Sequence, residues 1–232
     1  TIREPQRKIQ ESESIEVPSF SKVIQYIKNN WEVYGAIIIG NSCLIILLYG
    51  LQSWVPTMLL RVYEWDLVQS GRVYGSIAML AGSAGVLSGP FVLKYMSKIN
   101  VNAPHFKLAI FGISMASLSL VLLPFQPNVN IALVFVTMAS FFVTLPLAGT
   151  SSAMVIVSPN RIRGVITGIY VVVTSVFGLV LGPFLVASST DFIFQDTNAV
   201  AKSLALVSVL VGPVGIFFMF KGINSFGEIK NV

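Results

Sequence analysis

The sequence predicts an all-α membrane protein: a six-transmembrane-helix bundle made of two inverted three-helix repeats. Three observations carry that reading. Only 11% of the residues are charged and 54% are hydrophobic, with a mean hydropathy of +0.79, whereas a soluble domain carries roughly 25% charged residues. Residues 33–60, 73–93, 108–123, 131–158, 164–187 and 203–220 contain no Asp, Glu, Lys or Arg. Each is close to or above the ~18–20 residues that cross hydrocarbon, and backbone groups in lipid must be satisfied within the element, so the segments are helices. Finally, Gly85-Val86-Leu87-Ser88-Gly89-Pro90-Phe91 in the second segment returns as Gly178-Leu179-Val180-Leu181-Gly182-Pro183-Phe184 in the fifth.

In chain order, residues 1–32 are expected to form a cytoplasmic linker with an amphipathic interfacial helix. Positions 1–17 are polar and read as a flexible segment. Val17, Phe20, Val23, Ile24, Ile27 and Trp31 make an apolar stripe at helical spacing, with Ser21, Lys22, Gln25, Lys28 and Asn29 opposite. That is the pattern of a helix lying among lipid headgroups. Residues 33–124 hold the first three spans, residues 130–221 the last three, and residues 222–232 a cytoplasmic tail. The first span of each set carries a late proline, Pro56 or Pro146, which removes a backbone hydrogen bond and bends or unwinds the helix. The second carries Gly-x-x-x-Gly-Pro, and the third is comparatively plain. Three spans reverse the chain's direction, so the second set is inverted relative to the first. Inverted repeats are how secondary transporters build a site reachable from either face of a bilayer.

The formal net charge of +5 could suggest a nucleic-acid partner, but its placement argues otherwise. Arg3, Arg7, Lys8, Lys22, Lys28, Lys94, Lys98, Lys107, Arg161, Arg163, Lys221 and Lys230 precede the first span or fall in alternate connections, and the opposite face holds only Arg61, Arg72 and Lys202. This bias places both termini and the second and fourth connections in the cytoplasm. The basicity sets topology, and no nucleic acid is expected. The chain begins with Thr1 and a charged stretch, which fits a piece of a longer protein better than a natural amino terminus.

Enzyme chemistry finds no foothold. There is no His-Glu-x-x-His, no Gly-x-x-x-x-Gly-Lys and no pair of intramembrane aspartates. Gly112-Ile113-Ser114 lacks a histidine within any span to serve as base. The single histidine, His105, lies in a connection and cannot alone make a metal cluster. The single cysteine, Cys43, reads as a small core residue. No enzyme activity, metal or cofactor is expected.

Two sets of residues stand out. Ala81, Gly85 and Gly89 share a helix face, as do Gly178 with Gly182 and Gly164 with Gly168. Such faces let backbones approach closely, and with Pro90 and Pro183 they mark where one helix set rocks against another. Arg161 and Arg163, between the fourth and fifth spans, read as a gate latch or a headgroup anchor. Uncharged polar residues form the second set, because polar side chains in hydrocarbon need partners or water. Asn41, Tyr49 and Gln52 share a face of the first span; Ser140, Thr144 and Ser151 share one of the fourth; Thr167, Tyr170 and Thr174 share one of the fifth. Asn41, Tyr49, Gln52, Tyr74, Thr144, Ser151 and Tyr170 are the candidate cavity residues.

Ser158-Pro159-Asn160-Arg161-Ile162-Arg163-Gly164, followed by Gly178-x-x-x-Gly182-Pro183 and Asp191, resembles the tenth-to-eleventh-helix region of major facilitator superfamily transporters. Leu51-Gln52-Ser53-Trp54-Val55-Pro56-Thr57 through Tyr63-Glu64-Trp65 resembles the seventh helix and following loop of the bacterial Spinster-like branch, and Arg3-Glu4-Pro5 the start of the central cytoplasmic loop. The resemblance runs through all 232 residues, as helices seven to twelve of a twelve-helix fold. It implies the carboxy-terminal half of a secondary active transporter in a bacterial inner membrane, working by alternating access. Its partners would be the missing amino-terminal six-helix half, membrane lipids, and a substrate that is an amphipathic lipid, such as a lysophospholipid or sphingolipid-like molecule, or an organic anion. The alternative is a non-transporting receptor or scaffold. The family often carries Gly-x-x-x-Asp-Arg after the second span, where this chain has Gly89 followed by Leu93-Lys94, so that acidic partner is absent. No acid lies inside any span, so a proton-coupled relative of this kind would titrate a carboxylate in the other half.

The predicted topology has a direct check. In a cysteine-substituted series, a membrane-impermeant thiol reagent applied from outside should modify Gln126→Cys and Asp196→Cys and spare Asn102→Cys. Labelling at position 102 from outside reverses the orientation.

Overall fold

The computed structural model describes residues 20–230, with side chains through Phe226. A short helix, Phe20–Asn29, leads into six long apolar helices: Trp31–Val62, Leu67–Lys98, Pro104–Phe125, Val129–Val157, Arg163–Phe194 and Val200–Phe226. All six are long and apolar enough to cross a bilayer. Residues 1–19, including the polar linker, lie outside the described residues, as do the last two positions of the tail. Of the expected interfacial stripe, Val23 and Ile27 are buried while Phe20 and Trp31 are exposed. Trp31 belongs to the first span, because the chain turns at Asn30, whose side-chain amide donates to Tyr26 O at 3.0 Å.

The first span is the axis of the bundle. It is 72% buried over its most apolar stretch, against 22% for the second span and 28% for the fifth. The first span packs on the fifth and sixth, the fourth packs on the second and third, and the third and sixth pack on each other. Exchanging the two trios leaves this pattern unchanged, as an inverted repeat requires. The repeated motif performs the same task in both places. A side chain at Gly85 would collide with Thr144 Oγ1 and the Phe141 carbonyl, and one at Gly89 with the Leu145 carbonyl, all in the fourth span. A side chain at Gly178 would collide with Ile45, and one at Gly182 would come within 2.7 Å of Ile46 O and 3.0 Å of Gly50 N, in the first span. Each motif helix therefore presses its bare backbone onto the first helix of the opposite trio.

The two prolines of the opening helices act differently. Pro56 sits inside a continuous helix, whereas Pro146 divides the fourth span into Val129–Thr144 and Leu147–Val157. Proline removes the hydrogen bond to the residue four back, here Phe142, and that carbonyl faces Gly112 of the third span, where an added Cβ would lie 2.7 Å from it. Gly112 thus makes room for the break. The sixth span is less plain than its sequence suggested: Gly212 abuts Ser117, Gly215 abuts Cys43, and Gly222 abuts Phe106 and Ala36, wedging it between the first and third spans. By contrast, added methyls at Gly164 and Gly168 would meet nothing within 4 Å, so that small-residue face packs on no other helix among the described residues.

Polar ties hold the ends in register. At the face where the chain starts, Tyr34 donates to Val157 O at 2.9 Å. At the other face Tyr63 donates to Gln126 O at 2.7 Å, and burial pushes its hydroxyl above the ordinary tyrosine range. Thr190 donates to Ser203 at 2.7 Å between the fifth and sixth spans, and Trp54 Nε1 donates to Pro183 O at 3.0 Å between the first and fifth.

These contacts separate structural glycines from tolerant ones. Gly85→Ala and Gly182→Ala should each cost about 1–3 kcal/mol of stability by overpacking, read as lowered midpoints of thermal unfolding in detergent, while Gly168→Ala leaves the midpoint unchanged. Equal midpoints for all three would remove the motif from the packing scheme.

Candidate functional site: a polar groove between the first, second and fourth spans

The fourth span breaks at Pro146, and the second span contains a π-turn over Ala78–Gly82. A π-turn carries one extra residue per turn and recurs at functional sites. Between these irregularities and the later half of the first span lies a groove of about 470 Å³. Gln52 and Leu48 wall it from the first span, Tyr74, Ala78, Gly82, Ser83, Val86 and Leu87 from the second, and Ser140, Thr144 and Leu147 from the fourth. The lining mixes aliphatic wall with amide, phenol and hydroxyl groups and contains no charge. Such a surface suits a ligand with an apolar body and a neutral or internally compensated polar end.

The polar groups differ in availability. Thr144 donates to its own helix at Ser140 O, 2.9 Å, a bond that satisfies a hydroxyl without a second helix. Ser140 is only 3% exposed, and its hydroxyl lies beside that of Tyr74, short of full hydrogen-bond geometry. Gln52 is exposed on the groove wall.

A second cluster lies one turn further along the fourth span. Thr150 donates to Asn41 Oδ1 at 2.7 Å, and Ser151 Oγ and the Tyr170 hydroxyl are 3.4 Å apart. This set joins the first, fourth and fifth spans. Asn41, expected to face an open cavity, is 4% exposed and committed to Thr150; Tyr170 is likewise buried, and Ser151 is the exposed member. Gln52, Tyr74 and Thr144 are therefore brought together in the groove, while Asn41, Ser151 and Tyr170 form the adjoining network. Tyr49 is half-buried and packs beside Gly182.

Two features went unselected from the sequence. Ser140 shares a helix face with Thr144, so spacing alone could have included it. His105 stands with Nδ1 3.0 Å from Gly149 O and 3.3 Å from Ser152 Oγ, a cross-span contact that a lone histidine in a connection does not announce. Pro90 and Pro183 follow their glycines inside continuous helices, with Pro183 O accepting from Trp54. Arg163 Nε donates to Ser158 O at 3.3 Å, closing the turn after the fourth span, and Arg161 is exposed. No group of three or more potential metal-ligating side chains occurs among the described residues.

The family model of the Major Facilitator Superfamily matches residues 1–183, so this chain belongs to that superfamily and is an integral membrane protein of a transporter family. Its fold is similar to that of a bacterial homolog of the human lysosomal transporter Spinster. With the inward-facing, unoccupied form it shares 13% identity at a TM-score of 0.64, covering 99% of this chain and 54% of that one. With the inward-facing, occupied form it shares 13% identity at a TM-score of 0.54, covering 86% and 49%. The chain thus spans about half the length of these structures. No curated protein matches the sequence.

The two clusters should respond differently to truncation. Asn41→Ala strips the partner from a buried hydroxyl and should cost about 1 kcal/mol, the worth of an interhelical hydrogen bond in a membrane. Gln52→Ala removes an exposed amide and should leave the thermal midpoint unchanged. A loss confined to Gln52→Ala would reverse the assignment.

Proposed function

We propose that this chain is the carboxy-terminal half of a secondary active transporter, and that the groove forms one wall of its substrate path by alternating access with an amino-terminal six-helix partner. The observation that carries the proposal is the convergence of Gln52, Tyr74 and Thr144, with Ser140 beside Tyr74, on one otherwise aliphatic groove. Superfamily membership and the half-length match to the Spinster homolog support it.

The substrate we favour is an amphipathic lipid, of lysophospholipid or sphingolipid-like chemistry. Leu48, Val86, Leu87 and Leu147 offer a surface for an acyl chain, and the three polar groups offer donors and acceptors for a head. An organic anion would need a cation from the opposite wall, since this wall carries none. The network of Asn41, Thr150, Ser151 and Tyr170 would brace the fourth span beside its break. Arg161 and Arg163 would latch the cytoplasmic gate, with both termini in the cytoplasm of a bacterial cell and the bundle in its inner membrane. A receptor or scaffold would have no need for an exposed amide and a cluster of hydroxyls in an otherwise apolar wall.

The test is transport by the full-length protein in proteoliposomes. Gln52→Ala and Tyr74→Phe should each slow uptake of a labelled lysophospholipid about fivefold, the worth of one hydrogen bond, at unchanged expression. Unchanged rates in both variants would sink the groove as a substrate wall.

A further inference from the structure

A second pocket, of about 270 Å³, opens where the first span begins and the sixth ends, and its wall includes Trp31, Glu32, Gly35, Lys221, Asn224 and Ser225. Both ends lie on one membrane face, because an even number of spans separates them. Among the described residues, its wall holds one carboxylate and one ammonium that make no ion pair with each other. Each is engaged by a neighbour instead. Ser225 Oγ donates to Glu32 Oε2 at 2.6 Å, and Lys221 Nζ stands 5.1 Å from the centroid of the Phe217 ring. Opposite charges held apart across one small cavity leave room for a ligand that carries both signs.

The surroundings indicate what kind of ligand. The Trp31 ring lies back over Gly35, so close that a Cβ there would come within 2.8 Å of it, yet the residue remains 51% exposed. An open indole face beside a carboxylate attracts an ammonium group, and tryptophan at a span end sits at headgroup depth. On the sixth span, Val214, Phe217, Lys221 and Asn224 follow one another at three- and four-residue steps, so they share one helix face. Val214 and Phe217 are exposed on the bilayer side of Lys221. Charge lies at the membrane surface, and an apolar strip runs from it toward the interior.

We propose that this pocket binds the headgroup of a zwitterionic phospholipid with a protonated amine, of the phosphatidylethanolamine class. The phosphate sits against Lys221 and the Asn224 amide, the ammonium against Glu32 and the Trp31 ring, and the acyl chains along Phe217 and Val214. Bound this way, one lipid bridges the start of the first span and the end of the sixth. The site is separate from the groove and stands whether or not the groove carries substrate.

Native mass spectrometry of the purified full-length protein, titrated with phosphatidylethanolamine or phosphatidylglycerol, tests it. The wild-type protein should retain phosphatidylethanolamine in preference. Glu32→Gln should lower that retention about fivefold and leave phosphatidylglycerol unchanged, while Lys221→Gln lowers both, the loss expected for one charge at a membrane surface. Unaltered phosphatidylglycerol binding by Glu32→Gln also shows that this variant is folded. Arg72→Gln, an exposed cation on the opposite face, should change neither. Equal retention of the two lipids by the wild-type protein, an unaffected Glu32→Gln, or an equal loss in Arg72→Gln overturns the proposal. So does displacement of the lipid by an equal concentration of water-soluble glycerophosphoethanolamine, which would show that a headgroup without chains suffices.

Discussion

Helices inside a bilayer gain little from hiding apolar surface, because lipid tails are as apolar as leucine; they associate where backbones come close enough for dense van der Waals contact. In this chain that constraint is met, among other places, at two crossings related by the repeat. Gly85 and Gly89 bring the second span onto the fourth, and Gly178 and Gly182 bring the fifth onto the first. The second and fifth spans are otherwise the least buried helices of the bundle, so these glycines hold the outer helices to the inner ones. A side chain at any of the four would push a helix outward and open the walls that the polar residues line.

The groove depends on that closeness together with two departures from regular helix. The Pro146 break and the π-turn at Ala78–Gly82 stand on either side of it. Irregular backbone at membrane depth is tolerated where protein or a cavity receives the freed groups. Here Gly112 of the third span meets the carbonyl that Pro146 leaves without a donor. The same glycine that read in the sequence as a weak protease motif is thus a packing site behind the groove.

Polar groups in this bundle are sorted by whether they can be satisfied locally. Thr144, Ser151 and Thr174 donate to carbonyls of their own helices, which costs little and leaves the surface free to change. Asn41 cannot be served that way and is instead matched to Thr150 on another helix. Gln52 is left exposed on the groove wall, and Ser140 is buried beside Tyr74. Under the proposed function Gln52 and Tyr74 are the groups that a substrate would engage.

The number and order of the spans were legible in the sequence, because the cost of charge in hydrocarbon empties the middle of each span of Asp, Glu, Lys and Arg. The repeated Gly-x-x-x-Gly-Pro was legible for a similar reason: only glycine permits backbone contact, so the need for contact leaves a mark at fixed spacing. Helical spacing also singled out Gln52 and Thr144, and Tyr74 was singled out by its place near a span end; the three line one groove. Spacing failed for Asn41, since a polar residue facing a neighbouring helix and one facing an open groove have the same periodicity. It failed again for Gly164 and Gly168, whose spacing matches that of Gly178 and Gly182 but whose face meets no other helix among the described residues. Pro56 and Pro146 looked equivalent, yet only the second divides its helix. The sequence alone determined which segments cross the membrane and which faces are small or polar. The tertiary structure alone decided what each face meets, because that depends on which helix lies opposite.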